Sequence, residues 1–253
     1  MRLLRNPDQY SGAMGVALVT GAGRGLGAGI ARLLAARGWT VAVNDLPGRM
    51  SDVLSRITEE GGTALAAPGD VTAEDEVRAL VEEVGPVDVL VANATGPQPV
   101  VELAKLTWRT HLDQLEFFVK SPTLLAQAVL PGMKERGRGR IVHIGSDMPD
   151  RALPGWSAYS AGKAALAALT RVWARELGQH GITVNLVAPG WIPVERHADT
   201  PADEQDAYVA DVPLGRIGTP ADIASTVAFL ASDDAAFVTG QCLTVNGGHT
   251  YPR

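Results

Sequence analysis

The sequence predicts a single-domain α/β fold built on a doubly wound parallel sheet, and three observations carry that expectation. Short apolar runs of strand length alternate with longer amphipathic stretches along the chain. The first apolar run opens into a glycine-rich turn that leads straight into a helical stretch. No repeat, low-complexity segment or linker interrupts the alternation, and 253 residues suit one large domain with a sizeable core.

Each element follows from local signals. Residues 16–20 read as a buried strand, and 27–37 as a helix with Ile30, Leu33 and Leu34 on one face, stopped by Gly38. Residues 40–45 form the second strand. A helix over 51–60 is closed by Gly61-Gly62, and 64–68 is the third strand. Residues 73–84 are helical and 87–93 are the fourth strand. Residues 104–136 suit one long helix, broken by Pro122 or starting afresh near it. A strand over 140–145 precedes an alanine-rich helix over 157–179. Residues 183–188, a helix over 220–230 and a strand at 242–245 complete the alternation. The stretch 191–213, rich in proline, charge and small residues, is expected to be an inserted loop with a short helix. Residues 1–13 are expected to be an N-terminal tail, and 14–253 the domain. Right-handed crossovers between parallel strands give a Rossmann-type sheet with helices on both faces.

Composition excludes several classes of function. The chain is 46% hydrophobic and 20% charged, ordinary for a globular protein, and its net charge of −6 supplies no basic field for nucleic acid. The lone Cys242 leaves no intramolecular disulfide, and with five scattered histidines there is no metal-ligand cluster, so no metal is expected. No apolar run approaches the ~18–20 residues that span a bilayer, and the first ten residues lack an apolar leader core. The expectation is a cytoplasmic protein with no membrane partner.

The candidate cofactor residues lie where the strands end. Thr20-Gly21-Ala22-Gly23-Arg24-Gly25-Leu26-Gly27 follows the first strand and opens the first helix. Glycines there permit a tight turn and let backbone approach a diphosphate seated on the helix N-terminus. The spacing is not the common GxGxxG, so its context carries the weight. Asp45 ends the second strand, where a carboxylate accepts hydrogen bonds from adenosine ribose hydroxyls and repels a 2′-phosphate. That favours NAD(H). Arg24 and Arg49 argue the other way, since guanidinium groups hold phosphates, and NADP(H) stays open. Asp70, followed by Val71, lies past the third strand and suits an adenine contact, and Asn93 closes the fourth strand.

The candidate catalytic residues are Ser146, Tyr159 and Lys163. Tyr159 and Lys163 stand four apart near the start of a helix and share a face. A free tyrosine titrates near pH 10, too high for proton exchange at neutrality, and a nearby ammonium favours its phenolate. Ser146, at the end of the fifth strand, can hydrogen-bond a substrate oxygen as charge develops on it. A Tyr–Lys pair at this spacing is common on helix faces and acquires meaning only from its surroundings.

Those surroundings make the stretch from about 14 to 249 similar to a classical short-chain dehydrogenase/reductase. The matching residues are Thr20-Gly21-xxx-Gly25-x-Gly27, Asp70, Asn93-Ala94, Ser146, Tyr159-xxx-Lys163 and Pro189-Gly190, in family order, with Ser146 at the expected interval before Tyr159. The resemblance implies a nicotinamide-dependent oxidoreductase in which Tyr159 is the general acid/base. Lys163 would assist it and bind the nicotinamide ribose, and Ser146 would position the oxygen of a carbonyl or alcohol substrate. It also implies that the Ile192 backbone, after Pro189-Gly190, meets the carboxamide, and that the enzyme is a homotetramer or homodimer packed partly through its two long helices. Three departures stand out. No asparagine lies between Asn93 and Asn185, and counting back from Leu130-Pro131 puts Phe118 where the family has a proton-relay asparagine, with Trp108 suggesting a local insertion. Thr95-Gly96 follows Asn93-Ala94 where a glycine is usual, and Val194 replaces a threonine. Altered proton exchange is the expected result. Trp191, Glu195, Arg196 and His197 are candidate substrate-wall residues, with Glu195 and Arg196 equally readable as a solvated pair. Asp147, Asp150, Arg151 and Trp156 can contribute to a polar site. Two other readings stay open: an NADPH-dependent biosynthetic ketoreductase, and a non-catalytic NAD(H)-binding member of the fold.

Overall fold

The computed structural model describes residues 14–251; the expected tail over 1–13 lies outside them. In chain order the elements are β1 (Val16–Val19), α1 (Gly25–Ala36), β2 (Thr40–Asp45), α2 (Ser51–Glu59), β3 (Thr63–Pro68), α3 (Glu74–Val84) and β4 (Val89–Ala92). Then come α4 (Trp108–Leu115), α5 (Ser121–Glu135), β5 (Gly139–Ile144), the single turn α6 (Met148–Arg151), α7 (Ser157–Leu177) and β6 (Ile182–Pro189). The chain ends with α8 (Ala202–Ala210), α9 (Pro220–Ala231) and β7 (Cys242–Val245).

The strands form one seven-stranded sheet in the order β3-β2-β1-β4-β5-β6-β7, every pair parallel. Strand polarity follows the two-residue period of side chains. Ala17 and Val19 face one core with Ile30 and Leu34 of α1 and Ile223 and Val227 of α9. Val16 and Leu18 face the other, with Leu125 and Val129 of α5 and Leu80 of α3. Burial on both faces explains why these strands read as continuous apolar runs. The order reverses between β1 and β4, so a crevice opens beyond their carboxyl ends, where ligands bind in sheets of this kind.

The long helix expected over 104–136 is more complicated. It starts at Trp108, capped by Thr107, whose Oγ1 accepts a hydrogen bond from the Thr110 N–H (3.2 Å). Residues Glu116–Lys120 form a π-helical turn, and α5 follows directly with Pro122 in its first turn. Pro122 therefore does not break the helix. The switch to wider i→i+5 bonding falls just ahead of Pro122, which has no N–H to offer. The loop over 191–213 contains a 3-10 turn (Glu195–His197) as well as α8. Among the described residues no helix is long and apolar enough to cross a membrane.

Candidate active site

The glycine loop closes around its own backbone. Gly21 (φ +61°) and Gly25 (φ +56°) occupy left-handed conformations that glycine adopts without strain. A Cβ on Gly27 would lie 2.6 Å from Asn93 Nδ2 and overlap the Gly21 carbonyl. The loop is also fastened to its neighbours. Ala22 N–H donates to the Asn44 carbonyl (2.7 Å), and Asn44, itself buried, donates to the carbonyls of Ala67 and Gly69. Thr20 Oγ1 accepts from the N–H groups of Asn93 and Ala94 (3.0 Å each), while Asn93 Nδ2 donates to the Thr20 (2.8 Å) and Gly21 (3.2 Å) carbonyls. The Asn93 side chain thus braces the loop.

Asp45 stands beside this loop. Its Oδ2 accepts from Gly23 N–H (3.1 Å), its Oδ1 accepts from Leu46 N–H (2.8 Å), and the Arg49 guanidinium lies 4.0 Å away. A Cβ on Gly23 would sit 2.9 Å from that carboxylate and run into the Arg49 carbonyl. Arg24 is exposed at the same edge. Asp70 is turned toward its own backbone: its Oδ1 accepts from both the N–H and hydroxyl of Thr72 (2.8 Å each). Val71 is buried in the core, so its backbone is what it can present to a ligand.

Two of the catalytic candidates, Tyr159 and Lys163, lie on α7 beside Phe118, and Ser146 follows β5. Lys163 is buried, and its Nζ donates to the Ile144 carbonyl (2.7 Å) and lies 4.0 Å from the centre of the Phe118 ring. The same Nζ is 5.6 Å from the centre of the Tyr159 ring. Tyr159 is wedged between Phe118 and Trp156, both edge-on at 5.4 and 5.5 Å. Ser146 is half-buried, with its Oγ accepting from Met148 N–H (3.1 Å). Phe118 thus presents an aromatic face to the Lys163 ammonium.

Pro189 ends β6, and Gly190 leaves no room for a side chain because the Tyr208 hydroxyl and Asn246 pack against it. That hydroxyl accepts from Trp191 N–H (2.8 Å), and Ile192 is buried behind the loop. Asp147, a candidate polar-site residue in the sequence, proves to belong to a buried cluster next to Ser146 whose other members, Asn246 and His249, the sequence did not single out. Asp147 Oδ2 accepts from Asn246 Nδ2 (3.2 Å) and lies 3.5 Å from His249 Nδ1. Burial pushes the Asp147 carboxyl above its ordinary range, opposed by its bond from Asn246 and by Arg151. The pairing joins the segments that follow β5 and β7, and Asn246 is marked in the sequence only as a polar residue before the turn at Gly247-Gly248. Among the described residues no cluster of metal-ligating side chains exists.

A glycine loop at the switch point of a doubly wound parallel sheet is the architecture of a dinucleotide-binding protein. The family model described as "Enoyl-(Acyl carrier protein) reductase" matches residues 21–250. A cis-4-hydroxycyclohexanecarboxylate dehydrogenase from Sinomonas cyclohexanicum is 40% identical over 239 residues, 93% of this chain and 96% of the relative. A 3-oxoacyl-[acyl-carrier-protein] reductase FabG from Vibrio cholerae is 39% identical, over 92% of this chain and 96% of that protein. Among solved structures, a gluconate 5-dehydrogenase from Burkholderia cenocepacia in complex with NADP and tartrate superposes with a TM-score of 0.87 at 33% identity, covering 92% of this chain and 94% of its own. A short-chain type dehydrogenase/reductase from Mycobacterium ulcerans gives a TM-score of 0.88 at 29% identity, covering 92% and 89%. The chain belongs to the short-chain dehydrogenase/reductase family and is an NAD(P)-dependent oxidoreductase acting on CH–OH or C=O groups.

Proposed function

We propose that the protein interconverts a carbonyl compound and its secondary alcohol, using Ser146, Tyr159 and Lys163 as its catalytic set and NAD(H) as its preferred nicotinamide. The observation that carries the reading is the placement of the buried Lys163 ammonium between the Ile144 carbonyl, the Phe118 ring and Tyr159. The cradle fits a dinucleotide: its glycines leave space no Cβ could share, and a carboxylate of the chain already rests on the Gly25 N–H. Gly21, Gly23, Arg24, Gly25, Leu26 and Gly27 would hold the diphosphate, and Asp45 the adenosine ribose. Asp70, Val71 and Asn93 would line the adenine side, with Pro189, Gly190 and Ile192 at the nicotinamide side. When bound, the nicotinamide supplies or accepts the hydride.

The rest is the work of the chain's own side chains. Tyr159 Oη gives a proton to the carbonyl oxygen in reduction and takes it from the hydroxyl in oxidation. The Lys163 ammonium favours the phenolate form that oxidation needs. Ser146 Oγ holds the reacting oxygen and stabilises charge on it. Phe118 carries no proton, so exchange with solvent past Lys163 does not run through that side chain.

Asp45 supports the NAD(H) preference, since its carboxylate stands at the position a 2′-phosphate would approach. The gluconate 5-dehydrogenase complexed with NADP, together with Arg24 and Arg49 at the same edge, keeps an NADPH-dependent ketoreductase as the second reading. A carbonyl substrate and a homodimeric or homotetrameric assembly complete the proposal.

Tyr159→Phe tests it. Turnover should fall to background in a panel of NAD(P)-linked alcohols and ketones, while NADH and NADPH affinities measured by fluorescence stay within a few-fold of the parent. NADH should bind more tightly than NADPH. Retained turnover removes Tyr159 as acid/base, and preference for NADPH removes Asp45 as the discriminator.

A further inference from the structure

The first turn of α1 is the end of a 12-residue helix whose free N–H groups favour an anion. Nothing local satisfies them: the N-cap Arg24 makes no side-chain capping bond, and the first turn holds no acidic residue. The acceptor arrives from far along the chain. Glu195 Oε1 accepts from Gly25 N–H (3.3 Å). A Cβ on Gly25 would lie 3.3 Å from Glu195 Oε2 and 3.5 Å from Val194 Cβ, so this part of the loop rests directly on the glycine cradle.

The carboxylate is delivered by a built piece of backbone. Glu195 opens the 3-10 turn Glu195–His197, in which His197 N–H donates to the Val194 carbonyl (2.8 Å) and Val194 N–H donates to His197 Nδ1 (3.2 Å). The Trp191 ring packs edge-on against His197 and Tyr208, at 6.1 and 5.3 Å, which ties this stretch to α8.

We propose that Glu195 is an internal competitor for the diphosphate site, occupying the N-terminus of α1 until a dinucleotide displaces it. The proposal rests on the cofactor reading above. One N–H cannot serve a carboxylate and a diphosphate together, and two anions at one helix end repel. The apparent affinity for dinucleotide is the intrinsic affinity multiplied by the fraction of molecules from which Glu195 has withdrawn.

Titration of the full-length protein with NADH, NADPH and ADP-ribose tests this, comparing the parent with Glu195→Gln, Glu195→Ala and Glu195→Asp. A carboxylate at a helix N-terminus is held strongly enough that neutralising it should tighten all three ligands roughly three- to tenfold in the Gln and Ala variants. The Asp variant keeps the charge and should stay near the parent. Thermal melting should show all four proteins equally folded, since Glu195 is exposed. Parent-like affinity in Glu195→Gln overturns the competitor role while leaving the cofactor reading intact. Failure of the parent and every variant to bind any of the three ligands overturns both.

Discussion

Phe118 shows how much one side chain changes at this site. Its ring lies 4.0 Å from the Lys163 ammonium, which is otherwise bonded to the Ile144 carbonyl, and it also braces Tyr159 edge-on. A desolvated cation over an aromatic face gains about 2 kcal/mol or more. Replacing the ring by an aliphatic side chain of similar bulk removes that attraction while keeping the core filled. Phe118→Leu should therefore lower kcat by up to roughly thirtyfold, with a smaller loss of NADH affinity. Steady-state kinetics with a direct binding titration checks it, and an unchanged kcat would show that the Ile144 carbonyl suffices to hold the lysine. The position of Phe118 was legible in the sequence by counting back from Leu130-Pro131. Its contact with the lysine was not, because that depends on where a helix turn points.

At the scale of elements, β5 and α7 are joined by a buried histidine. His143 Nδ1 lies 2.8 Å from Thr170 Oγ1, and that hydroxyl already donates to the Leu166 carbonyl (2.9 Å), so the imidazole is the donor. Its Nε2 is buried without a partner among the described residues. Burial, reinforced by the Lys163 charge, lowers the His143 pKa from 6.5 to about 3. Between those two values the unfolded chain binds the proton and the folded one does not. Stability from this group is thus fully present above pH 6.5 and is lost as pH falls toward 3. Urea unfolding should show a loss of about 1.5 kcal/mol between pH 6.5 and about pH 5. His143→Gln, which can still donate to Thr170, should flatten that slope; an identical slope would place the proton uptake elsewhere. The strands and most helices could be read from the sequence because apolar period and glycine stops are local signals. The π-helical turn at Glu116–Lys120 has no such signature. The Asp147–Asn246 and Gly25–Glu195 contacts escape for another reason: they join residues 99 and 170 positions apart, and their chemistry exists only once the chain has folded.

For the whole molecule, the large apolar side chains left on the surface are informative. Trp108 on α4 is 67% exposed, Val172 on α7 is 60% exposed, and Phe237, just ahead of β7, is fully exposed. β7 itself forms one margin of the sheet. In the proposed assembly these side chains and the β7 edge would be the groups to bury. Sedimentation velocity at micromolar concentration should give a homodimer or homotetramer, and Trp108→Glu with Val172→Glu should shift it to a smaller species. A monomeric parent would remove the assembly from the proposal.

The bond between Asp45 and the Gly23 N–H has a practical consequence for redesign. If Asp45 sets the nicotinamide preference as proposed, converting the enzyme to the other dinucleotide would begin with exchange of Asp45 for a neutral residue. That exchange would also unlatch the glycine loop, because the same carboxylate is its clasp. Reprogramming therefore calls for a paired change, in which the incoming residue either accepts from Gly23 or is accompanied by another group that does.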